Sequence, residues 1–381
     1  MAESLTIWSA SEQLEDVLTE LAATFSTQNP HQHVTIVTLP NEELKTSIVK
    51  TVMAGNAPDI AIFSSDNLVY ANVMKLSAID PETASLRIAP FLTEQEMAAL
   101  QVDSIFYGIP LQRYSRLLML YNKRLVQTPA CSWEALIAQA AHFRENRLLP
   151  VGVLYAEPYW FAHFVSVFDG KFVQNGKPAL DSPAVAQALD FFRSLATKGV
   201  IDDQCGYDCV SVDFFNGKVA YALNGVWSLR KAHKALGDDL GIAPLPSYRG
   251  NQMTALSSLV ALSFPNNSLT GENGPAIHQF VEFLQTEEAQ RALLRETHSW
   301  PLDDKIIESP SMVPLVHAQR QLSSEIVLMP ASRAFVSIWS GMRRGLKLHQ
   351  RQRLSAQASA DFMQKQALID FHKMSQSERS N

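Results

Sequence analysis

Long apolar runs are missing from this chain of 381 residues. A membrane-spanning helix needs about 18 to 25 mostly apolar residues, and no such stretch occurs, so the sequence predicts no membrane span. Basic charge is also scarce, because 32 Lys and Arg face 38 Asp and Glu and give a net charge of -6 at pH 7. Affinity for phosphate backbones comes mainly from clustered Lys and Arg, so this balance argues against a nucleic-acid binder.

Cysteine is rare as well, with 3 in the whole chain. Cys205 and Cys209 flank a Gly-Tyr-Asp segment, and Gly206 permits a tight loop, so a local disulfide is sterically possible in an oxidising compartment. Two free thiols are the open alternative. Without a CxxC or HxxxH partner the cysteines predict no zinc site, and we expect neither a metal nor a cofactor.

Several sequence motifs of enzymes are absent. GxGxxG, GxxxxGK[ST], GxSxG and HExxH do not occur, so phosphate cradling, nucleophile-elbow and zinc-protease chemistry have no support in the sequence. One enzymatic alternative stays open, since Asp66 and Glu157 are a possible pair of glycosidase carboxylates. We expect a protein that binds its ligand without transforming it.

The length of the chain exceeds what one hydrophobic core usually supports, so two domains are expected. Near the N-terminus the apolar pattern predicts strand, helix, strand, helix and strand, which together specify a doubly wound parallel sheet. The three strands are expected at 5–8, 33–38 and 59–63, with Ser11 as the N-cap of the first helix. Ligands lie outside the carboxyl ends of strands in such sheets, which indicates the loops at 8–11 and 64–66.

Five short blocks occur in a fixed order along the chain. They are Ala-Gly-Asn-Ala-Pro-Asp-Ile at 54–60, Gly-Ile-Pro at 108–110 leading to Leu-Tyr-Asn-Lys at 120–123, Phe-Asn-Gly-Lys-Val-Ala at 215–220, Asn-Gly-Val-Trp at 224–227 and Ala-Pro-Leu-Pro at 243–246. Together they resemble the extracellular solute-binding proteins of bacterial ABC importers, in the large sugar-binding family that includes maltose-binding protein.

This resemblance implies an α/β chain with the two-lobed periplasmic-binding-protein fold of type II, each lobe a sheet flanked by helices and joined to the other by a hinge. The N-terminal lobe is expected to comprise 1–111 plus 258–301, and the C-terminal lobe 112–257 plus 302–381.

The same resemblance implies that a mono- to oligosaccharide is captured by hinge closure of the lobes and delivered to the transmembrane subunits of an ABC permease. A monomer in the periplasm or at the extracellular face of the membrane is expected. The first predicted strand begins at Leu5, so we expect no cleavable signal segment within this chain. A subunit that presents its ligand to a membrane receptor kinase is the alternative from another class.

The 6 tryptophans are candidates for sugar stacking. A pyranose ring has apolar C–H patches above and below a rim of hydroxyls, and flat aromatic faces cover those patches at small entropic cost. Trp133 follows a natural N-cap, Ser132, and is expected to be structural. The other five are expected to surround the ligand, with core filling as the alternative for each; they are Trp8, Trp160, Trp227, Trp300 and Trp339.

The resemblance adds polar and aromatic contacts. The Glu-Pro-Tyr segment at 157–159 implies that Glu157 and Tyr159 touch the sugar, and Asp66 occupies the acidic position after the first block, with a helix N-cap for 67–75 as its alternative role. A carboxylate accepts two hydroxyl donors at once, and such charge-assisted bonds are strong. The full set of expected ligand-binding residues is Trp8, Ser9, Ser64, Asp66, Arg113, Tyr114, Glu157, Tyr159, Trp160, Asn224, Trp227, Trp300 and Trp339.

Arg113 departs from the pattern of the family. Gln-Arg-Tyr-Ser-Arg stands at 112–116 where the family has an apolar and acidic run. An unpaired interior charge costs several kcal/mol, so Arg113 facing the ligand would need an anionic partner. This motivates an alternative ligand, a phosphorylated or acidic sugar or polyol such as a glycerophosphodiester. The other interpretation is an Arg at the hinge surface, paired with an acidic neighbour.

Overall fold

The computed structural model describes residues 3–307, 314–322 and 325–377. Its strands are β1 (Glu3–Ser9), β2 (Gln32–Thr38), β3 (Ile60–Ser64), β4 (Gln101–Val102), β5 (Ile105–Phe106), β6 (Ile109–Asn122), β7 (Leu149–Gly152), β8 (Val173–Gln174), β9 (Lys177–Pro178), β10 (Val219–Gly225), β11 (Leu240–Ala243), β12 (Ala255–Ser263) and β13 (Ile326–Leu328). Its α-helices are α1 (Glu12–Gln28), α2 (Asn41–Ala54), α3 (Ala71–Met74), α4 (Pro81–Arg87), α5 (Glu94–Ala98), α6 (Trp133–Glu145), α7 (Pro158–Ser166), α8 (Pro183–Thr197), α9 (Leu229–Leu236), α10 (Gly274–Leu284), α11 (Glu287–Thr297), α12 (Pro314–Arg320), α13 (Arg333–Gln350) and α14 (Ala356–Ser377).

The described residues fall into two compact units. The first is drawn from Met1–Ser115, Ser257–His317 and Leu328–Ser332, and the second from Arg116–Leu256, Ala318–Val327 and Arg333–Asn381. The chain first leaves the first unit within β6, after Ser115, and returns to it within β12, after Leu256.

A sheet in the order β2-β1-β3-β12 forms the centre of the first unit. β1 pairs in parallel with both β2 and β3, and β12 pairs antiparallel with β3. Ile7 lies opposite Ile36 on one side and Ile60 on the other, and it is fully buried. The predicted alternation of strands and helices is confirmed here. The parallel strands are connected by the crossover helices α1 and α2.

The start of α1 differs from the expectation in one detail. Ser11 is the N-cap, as predicted, but its side chain makes no capping hydrogen bond. Instead, the Ser11 backbone N–H donates to the Ser9 hydroxyl oxygen at 3.2 Å. The hydroxyl of the last residue of β1 therefore helps to shape the loop at the carboxyl end of that strand.

The second unit is built on β10, which pairs in parallel with β7 and antiparallel with β6, while β11 adds antiparallel to β6. Trp133 is fully buried, with its ring centroid 5.1 Å from Phe164 and 6.1 Å from Phe191. The Ser132 side chain accepts from the Ala135 N–H at 3.2 Å. The predicted N-cap and the structural role of this tryptophan are both confirmed.

None of the helices in the described ranges is long and apolar enough to cross a membrane.

Candidate functional site

Four aromatic residues of the second unit lie together and form what we call the aromatic wall: Tyr159, Trp160, Trp227 and Trp339. The Tyr159 ring centroid lies 5.7 Å from Trp160, 6.3 Å from Trp227 and 6.1 Å from Trp339. Trp160 and Trp227 meet edge to face at 6.1 Å. Aromatic pairs favour such tilted and edge-to-face arrangements at these distances, so the four rings stabilise one another.

The members of the wall differ in exposure. Trp160 is 6 % exposed, and its indole N–H donates to the Leu223 carbonyl oxygen at 2.7 Å. Tyr159, Trp227 and Trp339 are half-buried and keep part of their surface in contact with solvent. Trp160 therefore supports the wall from inside, while the other three rings present the surface that a ligand can touch.

The position of Trp227 depends on a glycine. β10 ends at Gly225, and a short 3₁₀ turn, Val226–Ser228, carries the indole. A Cβ atom on Gly225 would lie 2.3 Å from ring atoms of Trp227, which is far inside van der Waals contact. The Gly225 backbone is extended at φ -85°, a conformation open to any residue, so glycine is required here for space.

Asn224 holds the same turn from beneath. It is fully buried, its side-chain N–H donates to the Val210 carbonyl oxygen at 2.9 Å, and its side-chain oxygen accepts from the Gly225 N–H at 2.8 Å. These bonds place its amide inside the loop structure that supports Trp227.

Glu157 is the N-cap residue of α7 and lies one residue before its first turn. Its side chain is 30 % exposed, and one carboxylate oxygen lies 3.5 Å from a guanidinium nitrogen of Arg343. Arg343 follows Trp339 by one turn of α13, so the two side chains share one face of that helix. Glu157 thus lies near the wall with a cation beside its carboxylate.

A disulfide closes the loop behind these segments. Cys205 and Cys209 are bonded, with their Cα atoms 5.3 Å apart, which decides the alternative that the sequence left open. The Cys205 carbonyl oxygen accepts from the Tyr155 N–H at 3.2 Å, two residues before Glu157. Val210, which accepts the Asn224 amide, directly follows the second cysteine. The bridged loop and the residue that directly follows it therefore contact both segments that lead to the aromatic wall.

In the first unit, the expected residues lie at the carboxyl ends of two adjacent parallel strands. Trp8 and Ser9 end β1, and Ser64 ends β3, with Trp8 opposite Ala61 in the register. Trp8 and Ser64 are half-buried, whereas Ser9 is fully buried. This edge of the sheet is where the topology predicts a ligand.

Asp66 lies beside this edge, in the 3₁₀ turn Ser65–Tyr70, whose N-cap is Ser64. The residue is 9 % exposed, and among the described residues its Oδ1 atom has no hydrogen-bond partner. Burial raises the pKa of this carboxyl to about 7, although a hydrogen bond from its own backbone N–H and the charge of Lys45 lower it by smaller amounts. An unpartnered buried carboxyl oxygen costs free energy until a donor reaches it.

Arg113, Tyr114 and Trp300 form a separate group in the first unit. Arg113 donates twice to one oxygen of Glu96, at 2.7 and 3.0 Å, and lies 3.3 Å from a carboxylate oxygen of Asp304. The Tyr114 hydroxyl donates to the same Glu96 oxygen at 2.6 Å, and the Trp300 indole N–H donates to Asp304 at 2.7 Å. Two carboxylates therefore balance the charge of Arg113 inside its own unit.

Glu96 is the centre of this group. Burial by itself would raise the pKa of its carboxyl, but hydrogen bonds from Tyr114, Thr93 and Arg113 outweigh burial and leave that pKa lowered. Its second oxygen accepts from the Thr93 N–H at 2.8 Å, which completes a capping box at the start of α5. The Thr-x-x-Glu spacing was the available sequence signal for this residue, which the sequence interpretation did not use.

In the described part of the chain, no cluster of three or more His, Cys, Asp and Glu side chains is arranged to hold a metal ion.

The chain belongs to the family of bacterial extracellular solute-binding proteins, whose model matches residues 20–318. The family suggested by the five sequence blocks is therefore confirmed.

Among curated proteins, the maltodextrin-binding protein MdxE of Bacillus subtilis (strain 168) is 24 % identical over 216 residues, which cover 51 % of this chain and 49 % of MdxE. The chain thus spans about half the length of this curated relative.

Two solved structures share the fold. The maltose/maltodextrin-binding domain MalE from Bdellovibrio bacteriovorus, bound to maltotriose, has a TM-score of 0.88 at 23 % identity and covers 97 % of this chain and 100 % of that one. The GacH receptor of Streptomyces glaucescens GLA.O, solved unliganded and with acarbose, has a TM-score of 0.86 at 20 % identity, covering 96 % and 97 %. The expected α/β periplasmic-binding-protein fold is confirmed.

Proposed function

We propose that this protein is the substrate-binding component of an ABC importer and that its ligand is a neutral carbohydrate. The observation that carries the proposal is the aromatic wall, in which three half-buried rings are held in place by a fourth, buried one. Such rings cover the C–H faces of a pyranose, and they do so without ordering long flexible side chains.

Acidic groups supply the complementary chemistry for sugar hydroxyls. In the second unit Glu157 lies at the start of the helix that carries Tyr159, and in the first unit Asp66 has an oxygen to which no described residue donates. A hydroxyl that donates to a carboxylate forms a stronger bond than it does with a neutral acceptor. We propose Glu157 and Asp66 as hydroxyl acceptors, with Trp8, Ser9 and Ser64 around Asp66.

The charge of Arg113 favours a neutral ligand over an anionic one. The hypothesis of an anionic sugar or polyol was based on the need of the Arg113 guanidinium for an anionic partner. Glu96 and Asp304 already provide two such partners. Arg113, Tyr114 and Trp300 are accordingly proposed as structural supports. The relatives agree with this choice in their names, which mention maltodextrin, maltotriose and acarbose.

We further propose that the protein acts as a monomer in the periplasm or at the extracellular face of the membrane, and that it hands its sugar to the transmembrane subunits of a permease. The support is membership of the extracellular solute-binding family. The proposal includes no chemical step, so incubation with maltotriose should produce no new reducing ends.

Melting-temperature shifts test the ligand. A ligand that binds only the folded protein raises stability by mass action, about 2.7 kcal/mol at 100 times its Kd. A panel of mono-, di- and oligosaccharides plus glycerophosphodiesters should give a shift with a neutral sugar. Shifts with anionic compounds alone would overturn the proposal.

Variants at Trp227 test the site. Trp227→Ala should weaken the binding of the best sugar of the panel at least tenfold, whereas Trp227→Phe, which keeps a flat ring, should lose less. Circular dichroism checks that both variants are folded. Wild-type affinity in Trp227→Ala would remove this residue from the site.

A further inference from the structure

One buried histidine of the second unit takes part in a closed cycle of hydrogen bonds beneath the aromatic wall. The His163 Nδ1 atom lies 2.8 Å from the Tyr159 carbonyl oxygen, and its Nε2 atom lies 3.3 Å from the Leu256 backbone nitrogen. The Tyr159 hydroxyl donates to the Leu256 carbonyl oxygen at 2.8 Å and completes the cycle. Three residues from two distant segments are thus joined by three bonds.

The cycle determines the protonation state of the histidine. The Leu256 N–H is a donor, so Nε2 must be the acceptor, and Nδ1 then carries the proton that is donated to the Tyr159 carbonyl oxygen. His163 is fully buried. Burial lowers its pKa to about 4, against the smaller raising effect of hydrogen bonds with backbone groups of Tyr159, Leu256 and Trp160, so the ring is neutral at pH 7.

The same imidazole also sets the orientation of the Tyr159 ring. The two ring centroids lie 4.9 Å apart with an angle of 89° between the planes, so the histidine meets the tyrosine edge to face. The tyrosine ring is therefore held by its hydroxyl at one end, by the imidazole at one side and by the three tryptophans of the wall.

The other end of the cycle is the segment 254–256. The Thr254 N–H donates to the Ser166 hydroxyl oxygen at 2.9 Å, so α7 holds this segment at two points one turn apart, through His163 and Ser166. Leu256 is the residue after which the chain leaves the second unit. These two contacts, together with the hydrogen bond from the Ala255 N–H to the Glu325 carbonyl oxygen at 2.8 Å, support the segment that anchors the Tyr159 hydroxyl.

We propose that His163 is a positioning residue of the carbohydrate site, which fixes the plane of the Tyr159 ring by binding the Tyr159 carbonyl and the Leu256 N–H at once. This inference rests on the proposed function. A buried polar ring is costly unless both of its nitrogens are satisfied, whereas an apolar side chain would fill the same space without that cost. The presence of a histidine with two specific partners at this buried position is therefore explained by the geometry that it imposes on Tyr159 and Leu256.

Substitutions separate the two bonds from the volume of the ring. His163→Leu removes both bonds, whereas His163→Gln can still accept from the Leu256 N–H. The affinity for maltotriose should fall at least tenfold in His163→Leu and recover most of that loss in His163→Gln. The near-ultraviolet circular dichroism of the ligand-free protein should decrease in the leucine variant and be retained in the glutamine variant, because it reports the packing of Tyr159 and the tryptophans.

His349 provides the matched control, because it is also a buried histidine of the second unit, 1 % exposed, and lies on α13. His349→Leu should leave the affinity and the near-ultraviolet signal unchanged. Equal losses in His163→Leu and His163→Gln, or no loss in either, would overturn the proposal.

Nitrogen NMR of the wild-type protein tests the cycle without any substitution. The proposal requires the Nδ1–H tautomer of His163 at pH 7, and the Nε2–H tautomer would refute it. If the wild-type protein does not bind maltotriose, the proposed ligand class is in question, while the tautomer and the near-ultraviolet signals still decide the role of His163.

Discussion

Asp66 is the residue whose substitution tests the relation between stability and binding. Its folded-state pKa of about 7 lies above the ordinary value of 3.8. Below pH 3.8 the carboxyl is protonated in both the folded and the unfolded chain. As the pH rises from 3.8 to about 7, the unfolded chain ionises while the folded protein keeps its proton, so the free energy of unfolding decreases across that window.

The size of the effect follows from the shift. One pKa unit corresponds to 1.36 kcal/mol, so the rise of the pKa from 3.8 to about 7 amounts to roughly 4 kcal/mol of lost stability above pH 7. Asp66→Asn removes the ionisation and keeps the shape. The variant should therefore be more stable than the wild type at pH 8, by up to about 4 kcal/mol, and equally stable at pH 3.5. Urea denaturation at the two pH values measures the difference.

The same substitution should weaken sugar binding. A ligand hydroxyl that donates to Asp66 favours the ionised carboxylate, so binding releases a proton, and the wild-type affinity for maltotriose should increase from pH 6 to pH 8. Hydrogen bonds to charged groups contribute about 1.5 to 3 kcal/mol, so Asp66→Asn should bind roughly ten- to hundredfold more weakly at pH 8, with an affinity that no longer depends on pH in this range.

Asp80 is the control for these experiments. It is the exposed N-cap of α4, and hydrogen bonds from the Thr83 hydroxyl and N–H lower its pKa. A lowered carboxyl pKa stabilises the folded state above the unfolded pKa, so Asp80→Asn should reduce stability at pH 8, the opposite sign to Asp66→Asn. The reasoning about Asp66 fails if its asparagine variant has the pH profile and the sugar affinity of the wild type.

Three further substitutions have defined expectations. Gly225→Ala should displace the Trp227 indole and reduce sugar affinity at least tenfold, because the new Cβ would lie 2.3 Å from ring atoms; unchanged affinity would contradict the assigned contact. Folding lowers the pKa of His163 from 6.5 to about 4, so the free energy of unfolding should decrease by roughly 3 kcal/mol as the pH falls between these values. His163→Gln should abolish this decrease in denaturation profiles, and a variant that retains it would disprove the assignment. Replacing Cys205 and Cys209 by serine should lower the free energy of unfolding by about 2 kcal/mol, because the bridge restricts the unfolded chain. If a reductant destabilises the serine variant as much as it destabilises the wild type, the bridge is not the source of this stability.

Local structure was predictable because its signals lie within a few residues of one another. Apolar spacing predicted the first three strands at 5–8, 33–38 and 59–63, and the structure has them as Glu3–Ser9, Gln32–Thr38 and Ile60–Ser64. The Ser132 cap was readable for the same reason, since an N-cap side chain and the backbone N–H that donates to it are three residues apart. The family was likewise recognised from short blocks.

Only the tertiary structure identified which groups the charged and polar side chains bind. Arg113 pairs with residues 17 and 191 positions away, and His163 bonds a backbone group 93 positions away. The burial that shifts the pKa of Asp66 likewise depends on how the whole unit packs around it. Hydrophobic periodicity reports which face of an element is buried, but it carries no information on which distant group will meet that face. The sequence by itself therefore determined the elements and the family, while packing alone decided that Arg113 is neutralised within its unit and that His163 supports Tyr159.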